Sequence, residues 1–259
     1  MINEPIIIVA GEPNSIFLEI FFKSIEAHRY KSPLIIISSK RLLEKQMKKL
    51  GFFFKLNVIN KNFNEFNKLD NKKINLINVE YKFNKCFEKI STKSNNYIKK
   101  SFEIALKIIL RNKFSKFING PISKKHFLKG KTPGITEYLA KKLKKTSEVS
   151  MLIFNKNLSV SPLTTHLALK DVHKKISKQK IYNHVELINN FYLDKFNKLP
   201  HIAITGLNPH CESNFQNSEE DRIIIPAIRK LRLKNIKVNG PFPADTIFTK
   251  SLLKKYDVI

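Results

Sequence analysis

Ile6-Ile7-Ile8-Val9-Ala10 runs straight into Gly11-Glu12-Pro13, an apolar, largely β-branched run closed by a turn. A run of this length, bounded this way, reads as a buried strand. Leu34-Ile35-Ile36-Ile37 repeats the pattern and leads into a helical stretch from about Lys40 to Leu50. Between Tyr97 and Leu110 the residues Ile98, Phe102, Ala105 and Ile109 share one helical face, and Phe117-Ile118-Asn119-Gly120-Pro121 follows as another strand end. Short apolar runs alternating with helical patterns are the mark of an α/β protein, a mostly parallel sheet with covering helices.

The alternation continues in the second half. Met151-Leu152-Ile153-Phe154 reads as a strand, and Leu158-Ser159-Val160 begins another that runs towards His166. A helix is expected from about Lys174 to Phe196, then a strand over His201-Ile202-Ala203-Ile204-Thr205. Ser218-Glu219-Glu220-Asp221 looks like a capped helix start with an acidic first turn. Pro226 inside that helix is expected to kink it or cost a hydrogen bond. Ile236-Lys237-Val238 is a short strand before Gly240-Pro241. The stretch from Asn60 to Ser94, rich in Asn and Lys, has the weakest pattern and reads as a surface excursion. Two subdomains are expected, 1–120 and 121–259, with no repeat and no flexible linker. Tyr256-Asp257-Val258-Ile259 looks like the opening of a strand with nothing after it, which predicts unpaired backbone groups and a C-terminally incomplete second subdomain.

Bulk properties narrow the class. A chain of 259 residues, 42% hydrophobic with seven glycines, is ordinary globular material. Two cysteines, Cys86 and Cys211, make no disulfide framework and suit a reducing cytoplasm. No run approaches the roughly 18 apolar residues of a membrane span, and Met1-Ile2-Asn3-Glu4-Pro5 does not read as a signal peptide. The net charge of +27 would attract anions. Its lysines are spread among asparagines, isoleucines and phenylalanines, all residues of AT-rich codons, and Lys141-Lys142-Leu143-Lys144-Lys145 reads as a solvated helix face. No nucleic-acid partner is therefore expected, only steering of a phosphorylated substrate.

Two histidines carry the chemical reading. His166 closes Leu163-Thr164-Thr165-His166 and His210 closes Thr205-Gly206-Leu207-Asn208-Pro209-His210, each at the carboxyl end of a strand. Ligands of open α/β sheets bind at those ends, so a paired imidazole set points to a divalent metal. Two ligands fall short of the three that a catalytic zinc site takes from protein. His173 lacks the strand-end context, and His28, His126, His184 and His201 read as structural. Asp245, in Pro243-Ala244-Asp245-Thr246, is a candidate to hold a histidine, touch a metal or begin a helix. Lys124, after Asn119-Gly120-Pro121-Ile122-Ser123, suits a phosphate or carboxylate, although a turn plus a solvated lysine is the plainer reading. Thr136, in Pro133-Gly134-Ile135-Thr136-Glu137, could cap the following helix. Cys211 is a soft-ligand candidate whose safer reading is a buried bystander. Neither a G-x-G-x-x-G fingerprint nor a Walker A loop is present, so cofactor-binding residues stay unassigned.

Gly11-Glu12-Pro13, Asn119-Gly120-Pro121-Ile122-Ser123-Lys124, Gly134-Ile135-Thr136-Glu137-Tyr138-Leu139-Ala140, Thr164-Thr165-His166-Leu167-Ala168-Leu169-Lys170-Asp171-Val172, Gly206-Leu207-Asn208-Pro209-His210 and Gly240-Pro241-Phe242-Pro243-Ala244-Asp245-Thr246 occur in this order. Together they resemble the 4-hydroxythreonine-4-phosphate dehydrogenase family of pyridoxal phosphate biosynthesis. The resemblance implies a three-layer α/β/α fold akin to isocitrate and isopropylmalate dehydrogenases, with two subdomains and a cleft. It implies a cytoplasmic homodimer with its site at the interface. It also implies oxidation of 4-phosphooxy-L-threonine by NAD or NADP, with decarboxylation to 3-amino-2-oxopropyl phosphate. A divalent metal (zinc, magnesium or cobalt) is held in such enzymes by three histidines. His166 and His210 match the first two, and the third belongs to a Tyr-His-Asp-Gln-Gly segment expected beyond Ile259. Thr136 matches a substrate-binding position, whereas Ile135 stands where the family has histidine. Glu12 replaces an aspartate, Asn14-Ser15-Ile16-Phe17 replaces a glycine-rich run, and Cys211-Glu212-Ser213 replaces small residues. The alternative is a truncated or degenerate relative that folds or dimerises without turnover.

Overall fold

The computed structural model describes residues 3–61, 66, 69, 71–145, 149–211, 217–249 and 255–259. The chain divides into two compact units, Met1–Ile135 and Thr136–Ile259.

The first unit is built on five parallel strands, β1 (Ile6–Val9), β2 (Leu34–Ser38), β3 (Leu56–Ile59), β4 (Ile74–Asn78) and β5 (Phe117–Asn119), in the order β3-β4-β2-β1-β5. Strand side chains alternate between faces. Ile8, Ala10, Leu34, Ile36, Ile74 and Leu76 meet Leu18, Phe21 and Phe22 of α1 (Phe17–Ala27) and Leu43 of α2 (Lys40–Lys49). Ile7, Val9, Ile35 and Ile37, on the opposite alternation, are also fully buried, and α3 (Asn95–Asn112) packs against β1 and β2. Burial on both faces is why these strands read as continuous apolar runs. Ser39 caps α2 by accepting from the Leu42 amide.

Asn60 to Ser94 is not simply a surface excursion. Ile74-Asn75-Leu76-Ile77 forms an interior strand, and Asn75 is only 1% exposed. Its amide is satisfied by Asn57 Nδ2 at 3.0 Å and by donation to the Leu34 carbonyl at 3.1 Å, so a polar residue sits inside the sheet without penalty. Residues 62–65, 67, 68 and 70 lie outside the described set.

The second unit holds α4 (Ile135–Leu143, its first residue in the first unit), α5 (Leu169–Val172), α6 (Lys178–Phe196), β6 (Ile202–Thr205), α7 (Ile225–Leu233) and β7 (Val238–Phe242). β6 and β7 are parallel. Val258 pairs in parallel with Ile202 on one side and Ser159 on the other. The expectation of an unpaired terminal strand is therefore wrong: Ser159 donates to Asp257, Ser161 to Ile259, Ala203 to Val258 and Asp257 to His201, all at 2.8 Å. Met151–Phe154 contributes one antiparallel bridge, Ile153 to Val160, rather than a full strand. Ile202, Val238 and Val258 pack against Ile181, Val185, Ile188, Ala227, Ile228 and Leu231 of α6 and α7. Ala203 and Tyr256 face Ile247 on the other side.

The helix reading was nearly correct for α6, which starts at Lys178 behind a Ser177 cap. Pro226 does lie inside a continuous helical run, 219–233, and the disturbance expected of it is local: the turn immediately before it, Glu220–Ile224, is a π-turn, and regular α-helix continues through α7.

Candidate active site

The segment 159–161, the segment 257–259, β6 and β7 run parallel in one sheet, so their carboxyl ends share one edge. The loops carrying His166, His210 and Asp245 follow three of those ends. His166 has φ +56° and His210 φ +59°, left-handed backbone that non-glycine residues avoid. Such conformations cost free energy and persist only where neighbouring contacts impose them, which makes both residues functional candidates. Both histidines are exposed.

His210 Nδ1 lies 3.6 Å from Asp245 Oδ2, with the two side chains 68% and 55% exposed. An exposed pair at that distance adds little stability. Its chemical value is orientation, because a carboxylate beside Nδ1 favours the proton there and leaves the Nε2 lone pair available to ligate a metal. Thr165, beside His166, donates to Glu137 Oε1 at 3.3 Å and so ties the His166 loop to α4. Thr136 lies exposed within the first turn of α4, one residue past its start, so it does not act as the cap.

The His210 loop is held from behind. Glu220, 2% exposed, accepts from the Leu207 amide at 2.7 Å, the Asn208 amide at 2.8 Å and Asn208 Nδ2 at 2.7 Å. Burial pushes its carboxyl up, but those bonds outweigh it and hold the group below the ordinary range. Sequence inspection saw Glu220 only as first-turn helix charge, since its partners lie 12 and 13 residues earlier. Gly206 leaves room for these side chains: a Cβ would sit 2.5 Å from Cys211 Sγ and 3.0 Å from Glu220 Oε1. Burial raises the Cys211 thiol, with the Glu220 and Asp245 charges adding to the rise, which disfavours the thiolate a metal needs.

A cavity of about 360 Å³ lies in this unit, reaching Leu163 and Thr164, Thr205 to Leu207, and Ala244 from the three loops. His184 lines it with Nδ1 at 3.0 Å from Ser150 Oγ and Nε2 at 2.7 Å from Ser161 Oγ, a satisfied structural histidine. Burial lowers its basicity, aided by the Lys180 charge. His201 likewise serves structure, its amide donating to Asp257 Oδ2 at 2.9 Å.

The first unit treats its strand ends differently. Glu12 N donates to the Pro121 carbonyl at 2.8 Å and Gly120 N to the Val9 carbonyl at 2.7 Å. A Cβ on Gly120 would meet the Ala10 carbonyl oxygen at 2.1 Å, so the loops after β1 and β5 touch through bare backbone. Glu12, 3% exposed, accepts from Ser94 Oγ at 2.8 Å and from the Asn14 amide at 3.3 Å. Gly11-Glu12-Pro13 is thus a tight turn. Lys124 is exposed on the turn that follows, where Ser123 Oγ accepts from the His126 amide.

By donor type, two imidazoles and a carboxylate suit a divalent ion. Among the described residues no group of three or more His, Cys, Asp or Glu gathers as a complete set.

The family profile described as "Pyridoxal phosphate biosynthetic protein PdxA" matches residues 29–259. The chain belongs to the PdxA family. A 4-hydroxythreonine-4-phosphate dehydrogenase of Sulfurihydrogenibium sp. (strain YO3AOP1) is 34% identical over 256 residues, covering 97% of this chain and 77% of that one. A putative D-threonate 4-phosphate dehydrogenase of Oceanobacillus iheyensis is 29% identical, covering 100% and 80%. The solved structure of a putative 4-hydroxythreonine-4-phosphate dehydrogenase from Salmonella typhimurium superposes with a TM-score of 0.83 at 25% identity, covering 99% of this chain and 80% of that one. Of the PdxA motifs, Gly11-Glu12-Pro13, Gly120-Pro121 and Gly206–His210 follow strand ends, whereas Ile135–Ala140 lies in α4.

Proposed function

We propose that this PdxA-family chain is an oxidoreductase acting on 4-phosphooxy-L-threonine in pyridoxal phosphate biosynthesis. Its hydroxyl is oxidised, hydride passes to NAD or NADP, and the resulting β-keto acid loses carbon dioxide to give 3-amino-2-oxopropyl phosphate. The observation that carries the reading is the placement of His166, His210 and Asp245 on one sheet edge within a chain of this family.

His166 and His210 are the proposed donors to a divalent ion, zinc, magnesium or cobalt. When bound, such an ion eases loss of the hydroxyl proton and steadies the charge that develops as carbon dioxide leaves. Asp245 orients His210 or contacts substrate, its carboxylate lying 3.6 Å from that ring. Thr136 offers a hydroxyl to the substrate and Lys124 an ammonium to its phosphate. The working form is proposed to be a cytoplasmic homodimer. Among the described residues no helix is long and apolar enough to cross a membrane.

The test is NAD(P)H formation, followed by absorbance, with 4-phosphooxy-L-threonine or D-threonate 4-phosphate and added divalent metal. Turnover of the first with carbon dioxide release is expected. Turnover of the second alone would reassign the substrate, and none with either would favour a chain that folds without catalysis.

A further inference from the structure

We propose that Glu220 is a positioning residue for the loop that presents His210, acting through a carboxylate with two acceptor oxygens rather than through bulk. The functional consequence rests on the metal reading of His210; the structural part does not. Oε1 takes the Leu207 and Asn208 amides at 2.7 and 2.8 Å, and Oε2 takes Asn208 Nδ2 at 2.7 Å. All three donors come from the two residues that stand three and two places before His210.

The argument is one of hydrogen-bond polarity. A buried carboxylate is tolerated only where donors replace its water. Here three N–H groups from a single loop do so, and their convergence leaves that loop one shape in which all are satisfied. His210 and Cys211 then take up φ +59° and +57°, a pair of left-handed residues that needs outside constraint. The constraint comes from a different element, the π-turn Glu220–Ile224 that opens onto α7. Glu219 adds a fourth contact, accepting from the same Asn208 Nδ2 at 3.1 Å. Gly206 admits the carboxylate at close range, since its missing Cβ would lie 3.0 Å from Oε1. The arrangement fixes the backbone immediately before the imidazole, which is what a metal ligand on a loop requires.

An amide cannot replace this carboxylate. Glu220→Gln keeps the shape but substitutes one acceptor by a donor, which must face either Asn208 Nδ2 or the two backbone amides. The expected result is exchange at the Leu207 and Asn208 amides at least about 10-fold faster by hydrogen–deuterium exchange, with α6 and β6 still protected. Cobalt affinity by calorimetry is expected to fall about 10–100-fold, the usual range for loss of a ligand-supporting contact. Polarity can be restored in a second variant combining Asn208→Asp, Glu219→Gln and Glu220→Gln. The carboxylate introduced at 208 then accepts from the amide introduced at 220, whose oxygen keeps both backbone donors, and Glu219→Gln relieves the new repulsion. Recovery of amide protection there supports the proposal, because a purely volumetric role would show no such rescue. Wild-type exchange in Glu220→Gln would overturn it. Should Glu220→Gln fail to fold, Asn208→Ala, which removes the side-chain donor to Glu220 Oε2 and Glu219 but leaves both backbone donors, carries the test: faster exchange at the Leu207 amide supports the proposal and unchanged exchange overturns it. A wild-type chain that binds no cobalt would remove the metal reading of His210, and amide exchange alone would then decide the role of Glu220.

Discussion

The two units end their parallel strands in opposite ways. In the first, the loops after β1 and β5 seal against each other at Gly11 and Gly120, with Glu12 buried beneath them. In the second, the loops after 161, β6 and β7 leave His166, His210 and Asp245 exposed, while Glu220 is buried behind them. Each unit fastens a strand-end loop with a glutamate that accepts N–H or O–H donors. One loop pair is closed by backbone contact, whereas the other is held open with titratable side chains outward. The same strand-end architecture therefore yields a packed turn or a reactive edge, depending on which residues follow the strand.

The contrast can be broken hardest in the first unit. Gly120→Ala places a Cβ 2.1 Å from a backbone oxygen that has no flexible side chain to yield. The expected loss is about 3 kcal/mol in the unfolding free energy, read by denaturant melts, and a loss under about 1 kcal/mol would show that the loops are not sealed. Ser94→Ala removes the hydroxyl bonded to buried Glu12 and is expected to cost about 1–2 kcal/mol by the same measurement.

In the second unit the backbone strain should be separable from the chemistry. His166→Gly relieves a left-handed residue and is expected to raise stability by about 1 kcal/mol while metal affinity is lost. A stability loss instead would show that the imidazole is a packing element. The smallest effect concerns pH. His184 is less basic folded than unfolded, so it favours the folded state while neutral, above about pH 6.5. That contribution is lost as pH falls through the lowered folded value. His184→Asn should flatten the fall in stability of the second unit below about pH 6.5, and an unchanged slope would assign the dependence to other groups.

Much of the first unit was legible because Ile6–Val9 and Leu34–Ile37 are buried on both faces and carry no polar interruption. β4 was hidden because Asn75 interrupts its apolar run, and only the long-range bonds to Asn57 and Leu34 explain how it is buried. In the second unit His166 and His210 stood out as strand-end residues and Asp245 as an acidic-loop candidate, and the His210–Asp245 contact joins two of the three. Its sheet was less legible. Tyr256–Ile259 finds partners 55 and more residues earlier, and Met151–Phe154 looks like a strand yet makes a single bridge. Glu220 was read correctly but incompletely for the same reason: it does lie in an acidic first turn behind Ser218, yet its bonds to Leu207 and Asn208 run across a loop that no local pattern reports.

The account stands on His166 and His210 gripping one cation in common. Titrating cobalt into the wild type, His166→Ala and His210→Ala by calorimetry tests this directly. One ion per chain in the wild type, with tight binding lost in each variant, is the expected result. Wild-type affinity in either variant would contradict it.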